Sequence, residues 1–537
     1  MFLKNHIIRI NLPGGIVASG DLYAVVEAAE KAGVRDMQFG TRQQLLCKVP
    51  GTSLAQFTGE LERKGIAYES NTERFPNIVS SYVAEGVFGK SDWVSEGLYK
   101  DILDGFDYRP ELKINLVESR QSFVPFFTGN LNFISSNTGN YWYLYIRFPR
   151  TSLIYCWKDL IYSQDIPRIS HAIETVILNN KTRFIGQTAA DRDQSGDHLY
   201  EMVWDAYKSA NGGGQDALGD ELFIRQPITE SLQLPAFNLP YYEGFNRYGE
   251  KTWLGIYRRS EQFPLPFLKD ICSICLQTKI GQIYTTPWKS LVIKGIEEGD
   301  RRHWERALNR YRINVRHASN ELNWQVEDLS EEGLSLKRYL VRQLDIEDIR
   351  THGLCFAIKT RPRTGLSGSV IIRKSENARS RQRKSLDRYD ILYTPDFNAN
   401  SKEYVLFRKE LEKEHLPTYL FSLCKYYYER EDEQELGSGP GWMEEKTGPG
   451  VGRNGASGAG ERGGMAAGQK AEKEKVFQCR HCLTIYDEQL GDPAGGEPPG
   501  RAFSATSPGY VCPVCDGPKS DFVAVEKWNV LDETSYL

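Results

Sequence analysis

The sequence predicts an α+β protein: a duplicated body followed by a small metal-bound module. Three observations carry this. Residues 7–49 and 253–293 repeat one strand–loop–helix–strand pattern. The composition breaks near residue 437 into a Gly-rich stretch. Beyond the break stand two C-x-x-C pairs, in a segment of about sixty residues that is too short to fold firmly without a metal or other staple. The chain has 537 residues, so two to four domains are expected. A formal net charge of −4 argues against nucleic-acid binding. No apolar run is long enough to span a membrane. The first twelve residues read as a strand (Ile7, Ile8, Ile10) and not as a secretion signal, which places the protein in the cytoplasm. There the ten cysteines are expected as thiols or metal ligands, not as disulfides.

The first copy of the repeat reads IIRINLPGGIVASGDLYAVVEAAEKAGVRDMQFGTRQQLLCKV, with Leu22, Val25, Val26 and Ala29 at helical spacing. The second reads WLGIYRRSEQFPLPFLKDICSICLQTKIGQIYTTPWKSLVI. Ile10 aligns with Ile256, Val17 with Phe263 and Leu22 with Leu268; a one-residue gap then aligns Phe39 with Tyr284, Thr41 with Thr286 and Leu46 with Leu291. Strands are expected over Met37–Val49 and Gln282–Ile293, which are rich in apolar and β-branched residues. Two such halves suit a pseudo-twofold pair sharing one sheet. The expected divisions are 1–52 and 251–300 for the two half units and 53–250 and 301–436 for the mixed segments that follow them. Residues 437–474 read as a flexible linker and 475–537 as the C-terminal module and tail.

The module reads KVFQCRHCLTIYDEQLGDPAGGEPPGRAFSATSPGYVCPVCDGPKSDFVAVE. Its pairs, Cys479 with Cys482 and Cys512 with Cys515, offer four thiolates to one tetrahedral ion. Tyr486, Phe503, Tyr510 and Phe522 supply a small aromatic core. The pattern C-x-x-C-x-x-x-Tyr-Asp, Gly-Asp-Pro, Tyr-Val-Cys-Pro-Val-Cys-Asp resembles rubredoxin over the whole module, with Tyr510 where rubredoxins usually carry Trp. That resemblance implies one iron on the four cysteines, carrying one electron. A zinc ribbon that only holds the tail together is the other reading of four such thiolates.

In the body, Thr41-Arg42-Gln43 sits after the Gly33 helix exit, at the start of a strand, and the second copy has Thr285-Thr286-Pro287 in its place. The duplicated strand–helix–strand unit with T-R-Q resembles the ferredoxin-like half domains of the sirohaem nitrite and sulfite reductases, loosely over residues 1–432. The resemblance implies that Arg42 faces sirohaem and its bound anion, as a catalytic and cofactor-binding residue. It also implies that Lys113-Ile114-Asn115 is the family's basic strand, with Lys113 and Asn115 at the cofactor. Either Arg74 or the Asn77 region stands for a further family arginine. An octa-carboxylate cofactor and a small anion both call for Lys and Arg donors. A surface or ion-pair arginine is the plainer reading of Arg42.

The family's C-x5-C and C-x3-C motifs are missing. His317–Leu329 has no cysteine and Leu354–Lys359 has one, Cys355, so no 4Fe–4S cluster is expected. Cys355 reads as a buried structural thiol or as a lone axial ligand to a haem-type iron. Cys272 and Cys275 fall on the second helix, opposite Val26 and Ala29, and read as core. Cys424 also reads as core. In the basic stretch Lys359–Arg388, the part near Arg361, Arg363, Gly365 and Gly368 reads as a lining for an acidic cofactor; Arg379, Arg381 and Arg383 read as a solvated loop.

The expectation is a redox protein: a rubredoxin module delivering single electrons, tethered to a sirohaem nitrite/sulfite reductase-like body and serving nitrite or sulfite reduction. Its partners would be a redox protein and one of those anions, with no nucleic acid and no membrane. Two other readings stand. In one the body is a docking platform and the rubredoxin serves a separate reductase; in the other the chain is a scaffold with structural zinc.

Overall fold

The computed structural model describes residues 5–89, 91–151, 154–186, 192–211, 226–315, 319–361, 365–375, 387–437, 475–480, 485–486, 488, 492, 497–498, 500–512 and 517–526. Residues 438–474 of the stretch read as a linker lie outside these, as do His317, Arg363, Arg379, Arg381, Arg383, Cys482 and Cys515. The chain forms two compact units, a body over Met1–Gln434 and a second unit over Glu435–Leu537.

The helix of the first repeat, Ser19–Lys31, buries Leu22, Val25, Val26 and Ala29 along one stripe. It stops where Gly33 adopts φ +70° and the Val34 N–H donates to the Ala29 carbonyl at 3.0 Å. Its counterpart, Leu265–Gln277, carries a proline in the first turn and buries Leu268, Ile271, Cys272 and Cys275. The two helices share one apolar core, so Cys272 and Cys275 are packing residues. At the rim Lys269 pairs with Glu30 at 2.5 Å.

The halves do not share one sheet. They build two five-stranded sheets, and each lends the other an edge. The first runs Phe263–Pro264, Asp36–Phe39, Leu45–Pro50, Asn5–Ile10, Glu69–Ser70; the second runs Gly244–Tyr248, Lys251–Ile256, Leu291–Ile296, Gln282–Thr285, Ile16–Ala18. Val17 pairs with Ile283 in one sheet and Phe263 with Met37 in the other. The repeat therefore holds a constant spacing of 246 positions, from Ile10 and Ile256 to Leu45 and Leu291, with no gap. The crossing is made at Gly14 and Gly15, with φ of +68° and +77°; a Cβ on Gly15 would lie 2.6 Å from the Gln43 amide and 2.8 Å from the Thr285 carbonyl.

The long strands expected over Met37–Val49 and Gln282–Ile293 are hairpins. Gly40 donates to the Gln44 carbonyl at 2.8 Å and Thr286 to that of Ser290 at 3.1 Å, with Gln43 and Lys289 at positive φ. Thr41-Arg42-Gln43 thus forms a turn and does not begin a strand, and the residue equivalent to Arg42 is Trp288. Backbone hydrogen bonds closed inside the turn interrupt the ladder there.

The duplication continues. Each half unit is followed by a sheet that begins with two parallel pairings and turns antiparallel. In the first half these strands are Val79–Ser80, Ile114–Val117, Leu131–Ser135 and Tyr141–Arg147; in the second, Trp324–Val326, Phe356–Lys359, Val370–Lys374 and Arg388–Tyr393. A helix closes each set, Ile166–Asn179 and Leu416–Gly437. Cys424, on the second of them, is buried in the core it covers. No helix among the described residues is long and apolar enough to cross a membrane.

The second unit holds a three-stranded sheet, Ile485–Tyr486, Lys475–Cys479 and Phe522–Glu526. Its core consists of Tyr486, Phe503, Tyr510 and Phe522, with Phe477 stacked on Phe503 at 4.3 Å.

Candidate functional site

The turn Gly40–Gln44 is fixed to both halves of the body. The Gln43 side chain donates to the carbonyls of Ser80 (3.2 Å) and Thr285 (3.0 Å) and accepts from the Ser80 N–H at 2.9 Å. Asp328, from the second half, accepts from the Thr41 N–H at 2.9 Å and from Gln44 at 3.2 Å. Between these anchors Arg42 is only 6% exposed. Its guanidinium donates to the Asn77 carbonyl through Nε (3.1 Å) and Nη2 (2.7 Å), to the Ile114 carbonyl (3.0 Å) and to Asn115 Oδ1 (3.3 Å). All these acceptors are neutral. Burial pulls the guanidinium down to about 10, so it is a cation at neutral pH without a carboxylate in ion-pair contact among the described residues.

Arg42 and Lys113 line the same cleft, together with Arg9, Glu73, Thr128, Pro287, Glu327, Asp328, Arg361 and Gly365. The cleft joins residues of both halves. Lys113 keeps 36% of its side chain exposed and stands 3.9 Å from Glu73. Burial pulls its ammonium below the ordinary lysine value, with Arg42 and Arg147 adding repulsion. Asn115 lies one layer deeper. Its amide donates to the Phe126 carbonyl, Thr128 Oγ1 and Asn132 Oδ1, which places it behind Arg42 and not on the cleft wall. Asn77 is the neighbour that matters before this strand: besides accepting from Arg42, it donates to the Arg42 carbonyl at 2.8 Å. Arg74 points away, exposed and paired with Glu111 at 2.8 Å.

Cys355 is not among the cleft residues. It lies 1% exposed in the core, its thiol facing the Ser367 carbonyl at 3.7 Å, and burial pushes it up to about 12. A thiol so placed stays protonated.

Sequence reasoning missed Arg147, Lys402 and the inner role of Lys359. Arg147 donates to the Thr128 carbonyl at 2.9 Å and Lys402 to Ser367 Oγ at 2.6 Å. Lys359 ends the strand Phe356–Lys359 and lies over the Tyr404 ring at 5.9 Å. These residues come from separate strands and loops, and nothing in the local sequence marks their convergence.

In the second unit, Cys479 ends the strand Lys475–Cys479 opposite Phe522, and the Cys512 N–H donates to the Gly517 carbonyl at 2.8 Å. Both thiols are buried against the aromatic core. Tyr510 turns its hydroxyl to Asp492 at 2.8 Å. Two soft donors, inside a core too small to fold alone, suit a thiolate-bound metal.

Those features suit a small metal-thiolate domain. Residues 476–522 match the family model described as Rubredoxin. The chain is 37% identical over 76 residues to a rubredoxin of Cupriavidus necator, covering 14% of this chain and 90% of that protein. It is 38% identical over 53 residues to a rubredoxin of Azotobacter vinelandii, covering 10% and 74% respectively. Through its C-terminal unit the chain belongs to the rubredoxin family, whose metal is iron. The body shares its fold with the Mycobacterium tuberculosis NirA protein, at a TM-score of 0.56 and 14% identity, over 78% of this chain and 80% of that one.

Proposed function

We propose that the protein is a one-electron carrier whose rubredoxin unit serves a separate reductase, while its body, of nitrite/sulfite reductase fold, binds a small anion. In this reading Cys479, Cys482, Cys512 and Cys515 hold one iron. Iron there supplies a ferrous–ferric couple and passes single electrons, as six-electron reduction of nitrite or sulfite requires. The observation that carries the body's part is the meeting of Arg42 and Lys113 on one cleft, with Arg42 held by neutral acceptors only. A preorganised cation of that kind is suited to a small anion.

Sirohaem fits this cleft poorly. The cavity is about 180 Å³, below the roughly 300–1,000 Å³ of pockets that bury drug-sized ligands, and a tetrapyrrole is larger than those. Among the described residues, four cations on its wall, Arg9, Arg42, Lys113 and Arg361, face three carboxylates, Glu73, Glu327 and Asp328. That balance does not match a ligand with eight carboxylates. We therefore assign the body an anion-binding and docking role, with electrons leaving the rubredoxin for a partner reductase. No 4Fe–4S cluster belongs to this reading: four positions after Cys355, where C-x3-C would place its second thiolate, stands Lys359.

The test is a visible spectrum of the purified full-length protein with metal, pigment and acid-labile sulfide analysis. One iron per chain with ferric-thiolate bands and no tetrapyrrole supports the proposal. Stoichiometric sirohaem would make the body an enzyme, and zinc in iron-replete protein would overturn the electron-transfer role. Arg42→Glu is expected to abolish nitrite and sulfite binding while leaving the rubredoxin spectrum intact.

A further inference from the structure

The ring of Tyr510, which stands where rubredoxins usually carry Trp, is built into the core of the second unit. It meets Tyr486 edge-on at 5.6 Å, Phe503 at 6.1 Å and Phe522 at 5.9 Å. Cys479 and Cys512 are buried in the same cluster. The backbone there is fixed as well. The Tyr510 N–H donates to the Ser507 carbonyl at 3.0 Å, and the Tyr510 carbonyl accepts from the Lys519 N–H at 3.0 Å. Tyr510 is 6% exposed, yet its hydroxyl reaches the edge of the core and donates to Asp492 Oδ2 at 2.8 Å.

Asp492 is held through its backbone too. Its N–H and carbonyl exchange two 2.8 Å hydrogen bonds with Glu497, closing the loop between them. The neighbouring acids have other tasks. Glu497 accepts from the Ser507 N–H at 2.9 Å and pairs with Arg501 at 3.3 Å. Glu488 accepts from the Phe503 N–H at 2.7 Å. Asp492 is the half-buried carboxylate fastened to the Tyr510 ring, and Tyr510 stands two residues before Cys512. Burial, the bond to Asp492 and the nearby Cys512 sulfur together push the phenol above the ordinary tyrosine value.

We propose that the Asp492 carboxylate, positioned by the Tyr510 hydroxyl, lowers the reduction potential of the iron held by the four cysteines. The proposal rests on the electron-carrier reading above and deepens it. Four thiolates leave a ferric centre with one net negative charge and a ferrous centre with two, so a carboxylate fixed nearby disfavours the added electron. The phenol gives that charge its place. A carboxylate on a loop without such a bond turns towards water, where its field is screened. Tyr510 is therefore a positioning residue that acts through Asp492, and Phe in its place fills the core without the anchor.

The test is spectroelectrochemical titration of the full-length iron protein, followed at the ferric-thiolate bands, at low and high salt. At low salt Asp492→Asn is expected to favour the reduced state by about threefold, a positive shift of roughly 28 mV for one electron. Tyr510→Phe is expected to shift in the same direction, and the double variant no further than Asp492→Asn alone. Asp492→Glu, which keeps the charge, is expected to stay near the parent. The shifts should shrink at high salt, as those of a half-buried charge do and those of lost packing do not. If Tyr510→Phe does not retain iron, Asp492→Asn carries the test with the aromatic core intact. An Asp492→Asn potential equal to the parent's overturns the proposal. A shift in Asp492→Asn with none in Tyr510→Phe keeps the charge and overturns the positioning role. Equal shifts at both salt concentrations overturn the electrostatic origin. A parent with no reversible ferric–ferrous couple overturns the electron-carrier reading, and this proposal with it.

Discussion

Lys359 offers the sharpest residue-scale test, because burial gives its charge a sign that can be followed with pH. Its ammonium is pulled from 10.5 to about 8. Folding therefore favours the neutral amine, and between those values the unfolded chain binds the extra proton. Stability from this residue rises with pH across that window. Lys359→Met is expected to melt above the parent near pH 7.5, with the gap closing towards about pH 10. A gap that stays constant across the window would contradict the assignment. Arg42 and Lys113 were singled out in the sequence through the resemblance of their short motifs to a known family, and only the motif of Arg42 stands in the repeat. Asn115 was legible in place but not in role: it orients Arg42 and the Thr128 loop from behind. Arg147, Lys359 and Lys402 were not legible. Two of them end strands, the third sits in a loop, and only the folded chain gathers their charges.

The turn and the crossing segment are the elements that set the site. Helix spacing and apolar runs made the repeat visible, down to buried Leu22 and Leu268. The exchanged edges were invisible, since Ile16–Ala18 and Phe263–Pro264 are too short to show alternation. The hairpins were misread as single strands because Leu45 and Leu291 continue the apolar pattern past the turn. Gly15 links these features: a side chain there would collide with Gln43, which pins the Arg42 turn. Gly15→Ala is expected to lower stability by about 1–3 kcal/mol through strain at positive φ and that collision. It should appear as a lower urea midpoint with an unchanged m-value, accompanied by weaker anion binding. An unchanged midpoint would show that the crossing tolerates a Cβ.

At the scale of the molecule, the two compact units predict separable behaviour. Cys479→Ser is expected to remove the ferric-thiolate absorption and the protease resistance of the C-terminal unit, because so small a core depends on its metal. The body's melting transition should persist; its loss would mean that the units fold as one. The module was the most legible part of the chain, since four cysteines and a few aromatics nearly define it, whereas the body's fold rests on pairings between distant segments. That distance has a consequence during synthesis. The strand Asp36–Phe39 is made early, but the segment that covers its edge, Phe263–Pro264, is made 227 positions later (36 against 263). At about 5–20 residues per second the nascent chain carries an open strand edge for roughly 10–45 s. An open edge is a template for pairing with another chain. On a polysome a more advanced nascent copy offers its own Phe263–Pro264 segment to that open edge, so slow translation between positions 40 and 263 should raise the yield of tangled, strand-swapped chains.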